Sequence, residues 1–522
     1  MKNNNEKILK ELIRARLSNR ASFAAFKRKM AKKYGIPTPG NLELLKAYHD
    51  FKAKGSFKKS RKIEKFLLTR PIRSLSGIVN VSVLTKAWPC PGKCIYCPKE
   101  SGLPKSYLSG EPAVERAKSA KFDPFKQVAG RLDNLKNQGH PTDKVEVRIV
   151  GATWSCYPQK YQAWFIKRCF DACNKKDSKN LLAAQKLNEK AKHRIVGLSV
   201  ETRPDFIDKK EIKRLRELGI TLVELGIQSI RDDVLKKNLR GHGRAQIILA
   251  TKLLKDAGFK VLYQMMPNLL GSNVKKDEAM FYELFTNPDF QPDLLKIYPC
   301  ALLKETPLYK LWKAKKYRPY TEQQLINLLK DIKKEIPYYV RIQRIARDIP
   351  SDKIVAGPAK LSNIRQVLAT LAKKEGWHCR CIRCREIKGD YNSKEKMFLL
   401  KINYKTSGGL EIFLSFENKN RTRLYSLLRL RLPEKNKEGI LPLLNNAALI
   451  REIHTYGKLV ELGEKKVAAQ HQGFGKKLIK EAEQIAAKNG YKKIAVISAI
   501  GTRPYFKKLG YALKDTYMVK EL

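Results

Sequence analysis

Short apolar runs alternate with longer amphipathic stretches between residues 76 and 345. The apolar runs predict strands over residues 77–84, 144–150, 194–200, 221–227, 260–266 and 294–298. The amphipathic stretches place apolar residues at helical spacing and predict helices over residues 158–173, 209–218, 244–257 and 322–334. Strands separated by helices favour a parallel sheet with crossover connections, open or barrel-like, so the predicted fold class is α/β.

The pattern changes on either side of this segment and divides the chain into four parts. Residues 1–75 have helical periodicity and many basic residues, residues 76–345 form the α/β domain, and residues 346–395 form a connector. Residues 396–522 continue as strands, then a helix and a further strand. The strands predicted in this last part cover residues 396–402, 410–416 and 424–432. We therefore expect two α/β domains behind a basic helical extension.

Charge is the most unusual feature of the composition. The chain has 107 Lys and Arg against 50 Asp and Glu, for a net charge of +57. This excess indicates a polyanionic partner, because each neutralised phosphate releases counterions; a general lysine bias is the alternative. In the N-terminal part, Phe51, Phe57 and Phe66 are interleaved with lysines. These aromatics suit base stacking beside phosphate contacts, or they belong to an ordinary helical core.

Nothing in the sequence indicates a membrane or secreted protein. No apolar run approaches the about 18–20 residues of a membrane span, and the N-terminus carries charges throughout, without a signal-peptide core. The ten cysteines are clustered at metal-like spacings rather than spread as a disulfide framework. We therefore expect a cytoplasmic protein with no membrane partner.

Three cysteines, Cys90, Cys94 and Cys97, follow the first predicted strand at C-x3-C-x2-C spacing. Three thiolates can hold a 4Fe–4S cluster and leave one iron free for an exogenous ligand. Half of a zinc site is the alternative, but a zinc ribbon usually adds a second C-x2-C about 15–20 residues on, and the next cysteine is Cys156. With Tyr96 before the last cysteine, the motif resembles that of the radical S-adenosylmethionine (SAM) superfamily.

Small or polar residues lie at the carboxyl ends of the predicted strands. These segments cover residues 150–153, 199–205, 224–229, 264–267 and 296–299. Ligands gather at the carboxyl ends of parallel strands, so the succession predicts a pocket. For any one such residue, the alternative is that neighbouring backbone groups satisfy it.

A second cysteine group, Cys379, Cys381 and Cys384, lies in the connector beside His378. Three thiols this close suit tetrahedral zinc, with His378 or a distant residue as the fourth ligand. Unligated buried cysteines are the alternative, and the short spacing disfavours a second iron–sulfur cluster. A zinc ion here would have a structural role, fixing the two flanking domains against each other.

The C-terminal part contains the run Gln470-His471-Gln472-Gly473-Phe474-Gly475, which leads into a predicted helix over residues 476–488. Glycines before a helix let backbone N–H groups approach a pyrophosphate, whose charge the helix dipole favours. The Q-x-x-G-x-G spacing resembles the coenzyme A signature of GNAT-family acetyltransferases; a generic phosphate loop is the alternative. Further on, Tyr505, Tyr511 and Tyr517 suit donation to a thioester carbonyl or packing against a pantetheine arm.

Several sequence phrases together resemble the family of Elongator catalytic subunits, which are tRNA-modifying radical SAM acetyltransferases. The phrases are CIYCP, SGEPAVERA, ETRPD, LGIQS, RGH, MMP, KIYP and QRIARDIP, and the resemblance runs from about residue 75 to the C-terminus. It implies a radical SAM partial (β/α) barrel joined through a zinc linker to a C-terminal GNAT domain, behind the basic helical extension. One departure is Lys99-Glu100, where the family has a glycine pair; another is Phe506, where it often has a second tyrosine.

The resemblance also implies which residues form the sites. The cluster would be held by Cys90, Cys94 and Cys97, and zinc by Cys379, Cys381 and Cys384. SAM would lie near Thr153, Glu201, Gln228 and Lys296, and acetyl-CoA near Gln470, Gln472, Gly473, Phe474, Gly475 and Tyr505. The candidate catalytic residues are Lys296, Tyr505 and Tyr517.

The implied activity is that of a tRNA uridine(34) acetyltransferase. A SAM-derived radical would take hydrogen from the methyl group of acetyl-CoA, and the carbon radical would add to C5 of the wobble uridine. Loss of CoA would leave 5-carboxymethyluridine. The partner would be the anticodon loop of tRNA, whose bases unstack readily. Alternatives are a protein lysine N-acetyltransferase with a structural iron–sulfur domain and a tRNA-binding scaffold without turnover. The formation of a homodimer stays open.

Overall fold

A helical unit and two large sheets make up the chain. The structure is a computed structural model that describes residues 2–58, 60–68, 74–361, 363–388, 395–434, 440–457 and 473–522. Within these ranges each sheet has seven strands. No helix of the described ranges combines the length and the apolar character that crossing a bilayer requires.

Four helices form the N-terminal unit: α1 (Lys2–Arg14), α2 (Arg20–Tyr34), α3 (Asn41–Ala53) and α4 (Arg61–Leu67). The Asn19 side chain caps α2 by accepting a hydrogen bond from the Ser22 amide (2.9 Å). The apolar faces of the helices enclose a core of their own. Phe57 and Phe66, each 6% exposed, belong to this core. The core alternative therefore holds for these two rings, which are not free to stack on bases.

The first sheet contains parallel strands in chain order. The strands are β1 (Val79–Leu84), β2 (Lys144–Val150), β3 (Arg194–Thr202), β4 (Leu222–Gln228), β5 (Lys260–Met265), β6 (Leu294–Ile297) and β7 (Arg341–Ile345). The helices between them are α5 (Pro112–Ser119), α6 (Pro124–Asn137), α7 (Gln159–Asn174), α8 (Leu181–Asn188), α9 (Lys209–Glu217), α10 (Asp232–Lys237), α11 (Arg244–Asp256), α12 (Val274–Thr286), α13 (Pro307–Lys313) and α14 (Glu322–Glu335). The α/β prediction is confirmed, but β7 was not predicted, because two arginines and a glutamine interrupt its apolar pattern.

The two faces of the parallel sheet differ in polarity. On β2, Val145, Val147 and Ile149 belong to a core shared with the helices. Glu146 and Arg148 alternate with them and line an internal cavity, because successive side chains of a strand point to opposite faces. Parallel strands that are covered on both faces are usually apolar throughout. This polar face is therefore not a conventional apolar core, and its side chains border the cavity instead.

The second sheet has the order β13-β14-β12-β11-β10-β9-β8. Its strands are β8 (Met397–Thr406), β9 (Gly409–Asn418), β10 (Leu424–Pro433), β11 (Ala447–Thr455), β12 (Lys493–Val496), β13 (Ala512–Lys514) and β14 (Tyr517–Glu521). Neighbours are antiparallel except for β11 and β12, which are parallel. The remaining helices are α15 (Ile364–Glu375) and α16 (Ile382–Arg385) between the sheets, and α17 (Phe474–Lys488) and α18 (Arg503–Lys507) in the last domain.

Buried ion pairs join the two sheets. Arg451 on β11 contacts Asp293, just before β6, with Nη1 at 3.1 Å from Oδ1, and it contacts Glu411 on β9 at 2.9 Å. Arg429 on β10 adds a contact of 3.5 Å to Asp293. All four side chains are buried. Removing one partner of such a group leaves an uncompensated charge at a cost of about 3–5 kcal/mol, so the network fixes the two domains against each other.

Candidate active site

The loop that carries the first three cysteines folds tightly between β1 and α5. Cys90 Sγ lies 3.6 Å from Thr153 Oγ1, and Arg240 Nη1 donates to Cys94 Sγ at 3.1 Å. A Cβ at Gly92 would meet Arg203 Nη1 at 2.7 Å and the sulfurs of Cys94 and Cys90 at 3.4 and 3.6 Å. A side chain at this position would therefore displace the Arg203 guanidinium, which pairs with Asp205 (2.8 Å).

The two cysteine groups have different spacings. The sulfurs of Cys379, Cys381 and Cys384 all lie within 4.8 Å of one another, and among the described residues they are the group that meets this distance. Zinc–sulfur bonds of about 2.3 Å place tetrahedral ligands about 3.8 Å apart. The connector group is therefore compact enough for a single ion. The more open spacing of Cys90, Cys94 and Cys97 suits a larger centre such as an iron–sulfur cluster.

The first thiol group opens into a cavity of about 590 Å³ at the carboxyl ends of the parallel strands, the mouth cavity. The four residues expected near SAM all line it together with the three cysteines: Thr153, Glu201, Gln228 and Lys296. Gln228 has a left-handed backbone (φ +73°), and its buried Oε1 has no hydrogen-bond partner among the described residues. An unpaired buried acceptor next to a cavity fits a ligand that donates a hydrogen bond.

Lys296 is the central charge of the mouth cavity. Its ammonium group contacts Glu224 and lies 3.4 Å from Glu201, which also accepts a hydrogen bond from Tyr107 (2.9 Å). Burial would lower the pKa of Lys296, but Glu224 and Glu201 outweigh it and raise that pKa. Burial raises the pKa of Glu224. Lys296 is therefore a fixed cation that can donate hydrogen bonds but does not accept a proton near neutral pH.

A second cavity, of about 1440 Å³, lies between the two sheets and is called the interdomain cavity. Its walls come from the polar face of the parallel sheet, from the connector and from the second sheet with the start of α17. Four side chains line both cavities: Arg131, Arg148, Gln343 and Arg344. The mouth cavity and the interdomain cavity therefore adjoin at a shared wall, on the polar side of one sheet.

The start of α17 lies in the interdomain cavity. Gly473, with a left-handed backbone (φ +71°), precedes the helix, and a Cβ at Gly475 would lie 2.9 Å from Tyr505 Oη. Pairing between β11 and β12 ends at Ile450 and Val496, although β11 continues to Thr455. The two strands therefore separate beside the helix N-terminus, which leaves a cleft that is open to an elongated anion.

The remaining residues expected at acetyl-CoA do not all line this cleft. Gln470 and Gln472 lie outside the described residues. The Phe474 ring is buried against Phe416 at 4.9 Å between centroids, so its backbone rather than its side chain is available to a ligand. Tyr505 lines the cavity and is 38% exposed.

Tyr517 lies away from both cavities. It is fully buried, donates to the carbonyl oxygen of Ala257 (2.8 Å) and packs against the Arg216 guanidinium. Its hydroxyl is thus engaged at the interface between the two domains and not presented to a thioester. The expectation of a catalytic Tyr517 is contradicted by this position, since its side chain points from β14 toward the parallel-sheet domain.

Sequence reasoning missed the residues of the shared wall. The alternation of Lys144, Glu146 and Arg148 in β2 has a period of two, and this signal in the sequence could have placed Arg148 on the polar face. Gln343 and Arg344 lie on the unpredicted β7, so no local signal placed them opposite β2. His378, which lines the interdomain cavity, is not among the ligand atoms that meet the three connector thiols.

Comparisons with known proteins agree with this geometry. Residues 90–282 match the radical SAM superfamily, and residues 292–373 match the radical SAM C-terminal domain. The tRNA uridine(34) acetyltransferase of Methanocaldococcus infernus is 43% identical over 99% of this chain and 98% of its own length. Elongator complex protein 3 of Homo sapiens is 37% identical over 87% of this chain and 86% of its own length. A solved structure of the archaeal Methanocaldococcus infernus Elp3, with an N-terminal deletion, gives a TM-score of 0.75 at 43% identity, covering 86% of this chain and 100% of that one.

Proposed function

The chain belongs to the family of tRNA uridine(34) acetyltransferases and Elongator complex protein 3, and we propose that it converts uridine 34 of tRNA to 5-carboxymethyluridine. The two-carbon unit comes from acetyl-CoA, and SAM supplies the radical. The observation that carries this proposal is the wall shared by the two cavities. Under this proposal, a site for radical formation and a site for an acyl donor adjoin within one chain.

Cys90, Cys94 and Cys97 are the proposed ligands of a 4Fe–4S cluster. When bound, the cluster supplies reductive cleavage of SAM. The protein's own part is to bind and orient: the Lys296 ammonium suits a carboxylate, and Glu201 suits an ammonium or a ribose hydroxyl. Thr153 and Gln228 add further hydrogen-bonding groups to the lining. Lys296 acts here as a donor that stays protonated, which is the catalytic role we assign to it.

Acetyl-CoA is proposed to bind where β11 and β12 separate. The α17 N-terminus, at Gly473 and Gly475, suits the pyrophosphate. The edge of β11 that extends beyond its pairing with β12 suits the amides of the pantetheine arm. Tyr505 lines the same cavity, and its hydroxyl is the proposed donor to the thioester carbonyl. Gln470 and Gln472 belong to the same signature and complete the proposed site. This arrangement supports a GNAT-type last domain.

Cys379, Cys381 and Cys384 are the proposed ligands of a zinc ion. The three sulfurs are close enough for one ion, and Lys333 Nζ lies 3.5 Å from Cys384 Sγ, where a cation favours thiolates. The proposed role is structural, because the short helix α16 that carries Cys384 joins the two domains.

An anaerobic assay of tRNA nucleosides tests the proposal. Reconstituted enzyme, SAM, acetyl-CoA and a reductant should yield 5-carboxymethyluridine, and omission of any one should abolish it. Gly475→Trp, which fills the α17 end, should stop the modification while SAM cleavage continues. Cys94→Ala should stop both. A protein lysine N-acetyltransferase would not need iron, so iron-independent acetyl transfer as the sole activity would favour that alternative.

A further inference from the structure

The interdomain cavity is strongly cationic. Its lining includes fourteen Lys and Arg side chains against three Glu. Four of the arginines have carboxylate partners within the protein: Arg341 pairs with Glu386 (2.6 Å), Arg148 with Glu146 (2.8 Å), Arg451 with Asp293 (2.5 Å) and Arg344 with Asp348. Such cations are already compensated, so a bound anion is expected where the guanidinium groups have no acidic partner.

Arg383 and Arg365 meet that condition. The Arg383 guanidinium, on α16, makes no hydrogen bond or ion pair with any residue in the described ranges, although it lines the cavity. The acidic group that attracts it, Glu386, is already paired with Arg341. Arg365, on α15, donates to a neutral acceptor, the carbonyl oxygen of Ile342 (3.3 Å). Both side chains are half-buried. A partly desolvated charge without a counter-ion is unfavourable, so an anion that enters the cavity would relieve that cost.

The backbone under Arg383 is held in place. The Ile382 amide donates to the carbonyl oxygen of Val340 (3.0 Å), which ties α16 to the residue just before β7. On the other side of Arg383, Arg385 pairs with Glu417 of β9 at 2.6 Å. The segment is therefore tied to both sheets, while the Arg383 guanidinium lacks a partner. Such an arrangement is pre-organised to bind, because little backbone entropy is lost when the ligand arrives.

We propose that Arg383 and Arg365 bind one backbone phosphate of the tRNA substrate inside the interdomain cavity. This inference rests on the proposed function and adds where the RNA backbone is held. Guanidinium groups recognise phosphate through paired N–H donors, which a single lysine cannot reproduce. The phosphates of CoA are the other source, but the α17 N-terminus lies on the wall from the second sheet. Arg383 and Arg365 come from the connector wall, so the RNA is the favoured ligand.

The test is binding of a fluorescent anticodon stem–loop to the full chain over a series of salt concentrations. Arg383→Gln and Arg365→Gln should each raise the Kd by about fivefold to tenfold, and the double variant should reduce the salt dependence of binding by about one phosphate contact, because the two arginines share one phosphate. Arg383→Lys should recover part of the affinity, because it keeps the charge without the paired donors. Lys186→Gln, on the exposed face of α8 and outside both cavities, is the charge-matched control and should change neither quantity.

Two further measurements keep the result decisive. The affinity for acetyl-CoA, measured on the same variants, should not change. A loss of acetyl-CoA affinity without a loss of RNA affinity would overturn the assignment to RNA. Unchanged RNA binding in both variants would overturn it as well. Because Arg383 adjoins Cys384, the bound metal of each variant is measured as well. If Arg383→Gln loses metal, the test of the phosphate site uses Arg365→Gln alone. If the wild-type chain binds the stem–loop but never modifies tRNA, the proposed function fails and this site stands. If it modifies tRNA while both variants bind normally, only this site fails.

Discussion

The guanidinium group of Arg240 donates a hydrogen bond to Cys94 Sγ at 3.1 Å, while its other terminal nitrogen donates to the carbonyl oxygen of Gly226 at the end of β4. Arg240 is 6% exposed. Burial opposes ionisation of the Cys94 thiol, but the charge and hydrogen bond of Arg240 outweigh it and lower the pKa of that thiol. One side chain therefore ties the cysteine loop to the sheet and places a buried cation against a proposed cluster ligand.

Loss of this cation should make the cluster harder to reduce. Hydrogen bonds and positive charge at the ligand sulfurs raise the potential of an iron–sulfur cluster. Arg240→Gln should therefore lower the midpoint potential by on the order of 50 mV, about a tenfold change in the reduction equilibrium. The measurement is a redox titration followed by electron paramagnetic resonance at matched iron content, with Arg240→Lys as the charge-retaining control. Equal potentials in all three proteins would contradict the role.

Lys296 should be required for folding stability as well as for SAM binding. Lys296→Met leaves Glu224 and Glu201 without their shared cation, and an unpaired buried charge costs about 3–5 kcal/mol. We expect a clear fall in Tm, which the double variant Lys296→Met/Glu224→Gln should partly restore. Calorimetry of the metal-free proteins checks this. If Lys296→Met were as stable as the wild type, the ion pairs of Lys296 with Glu224 and Glu201 would not stabilise the fold.

The two tyrosines of the last domain should behave differently. Tyr505→Phe removes the hydroxyl beside Gly475, and loss of a donor to a developing oxyanion costs on the order of 10²-fold in kcat; acetyl-CoA affinity should change little. Tyr517→Phe removes a buried hydrogen bond to Ala257, worth about 0.5–1.5 kcal/mol. That variant should lose stability and keep its kcat. A loss of stability in Tyr505→Phe together with a loss of kcat in Tyr517→Phe would contradict the geometry.

Acid should weaken the contact between the domains at Glu452. This carboxylate pairs with Arg429 (2.8 Å) and Lys260 (3.2 Å). Burial opposes its ionisation, but these two cations lower its pKa from 4.5 to about 2. A lowered folded-state pKa stabilises the protein above the unfolded value and loses that effect as the pH falls through the folded value. The stability advantage over Glu452→Gln, about 3 kcal/mol, should thus be complete above pH 4.5 and shrink toward pH 2, as denaturant titrations can measure.

Metal analysis should separate the two cysteine groups. Cys381→Ser should remove zinc and leave iron unchanged, because its sulfur belongs to the compact connector group. Cys94→Ala should do the opposite. Cys156→Ser, outside both groups, is the matched control and should change neither content. Loss of both metals in Cys381→Ser, in a protein that keeps its fold, would contradict two independent sites.

The sequence was most informative where chemistry repeats along one strand or one loop. Thr153, Glu201, Gln228 and Lys296 were predicted to share a pocket because each lies at the carboxyl end of a strand of one parallel sheet, and all four line the mouth cavity. The three connector thiols were predicted as one group because they lie so close in sequence. The first prediction rests on the edge that the carboxyl ends of parallel strands share, and the second rests on closeness in sequence.

The surroundings of a side chain could not be predicted from the sequence where they depend on contacts with residues distant in sequence. Tyr517 carries the same hydroxyl as Tyr505, but its strand turns it toward Ala257, which is distant in sequence. Phe57 and Phe66 resemble stacking residues until the helices pack around them. Gln343 and Arg344 lie with Arg148 at the shared wall because β7 and β2 belong to one sheet. In each case, tertiary packing rather than local pattern decides what the side chain faces.

The account depends most on the claim that the two cavities act on one nucleotide, and isotope transfer tests this directly. The enzyme is incubated anaerobically with tRNA, SAM, a reductant and acetyl-CoA labelled with carbon-13 in both acetyl carbons, and the tRNA nucleosides are analysed by mass spectrometry. We predict 5-carboxymethyluridine that carries both labelled carbons and depends on Cys94 and Gly475 in the same chain, so that a mixture of Cys94→Ala and Gly475→Trp proteins forms none. Label found only on protein lysines, or full activity of that mixture, would contradict the account.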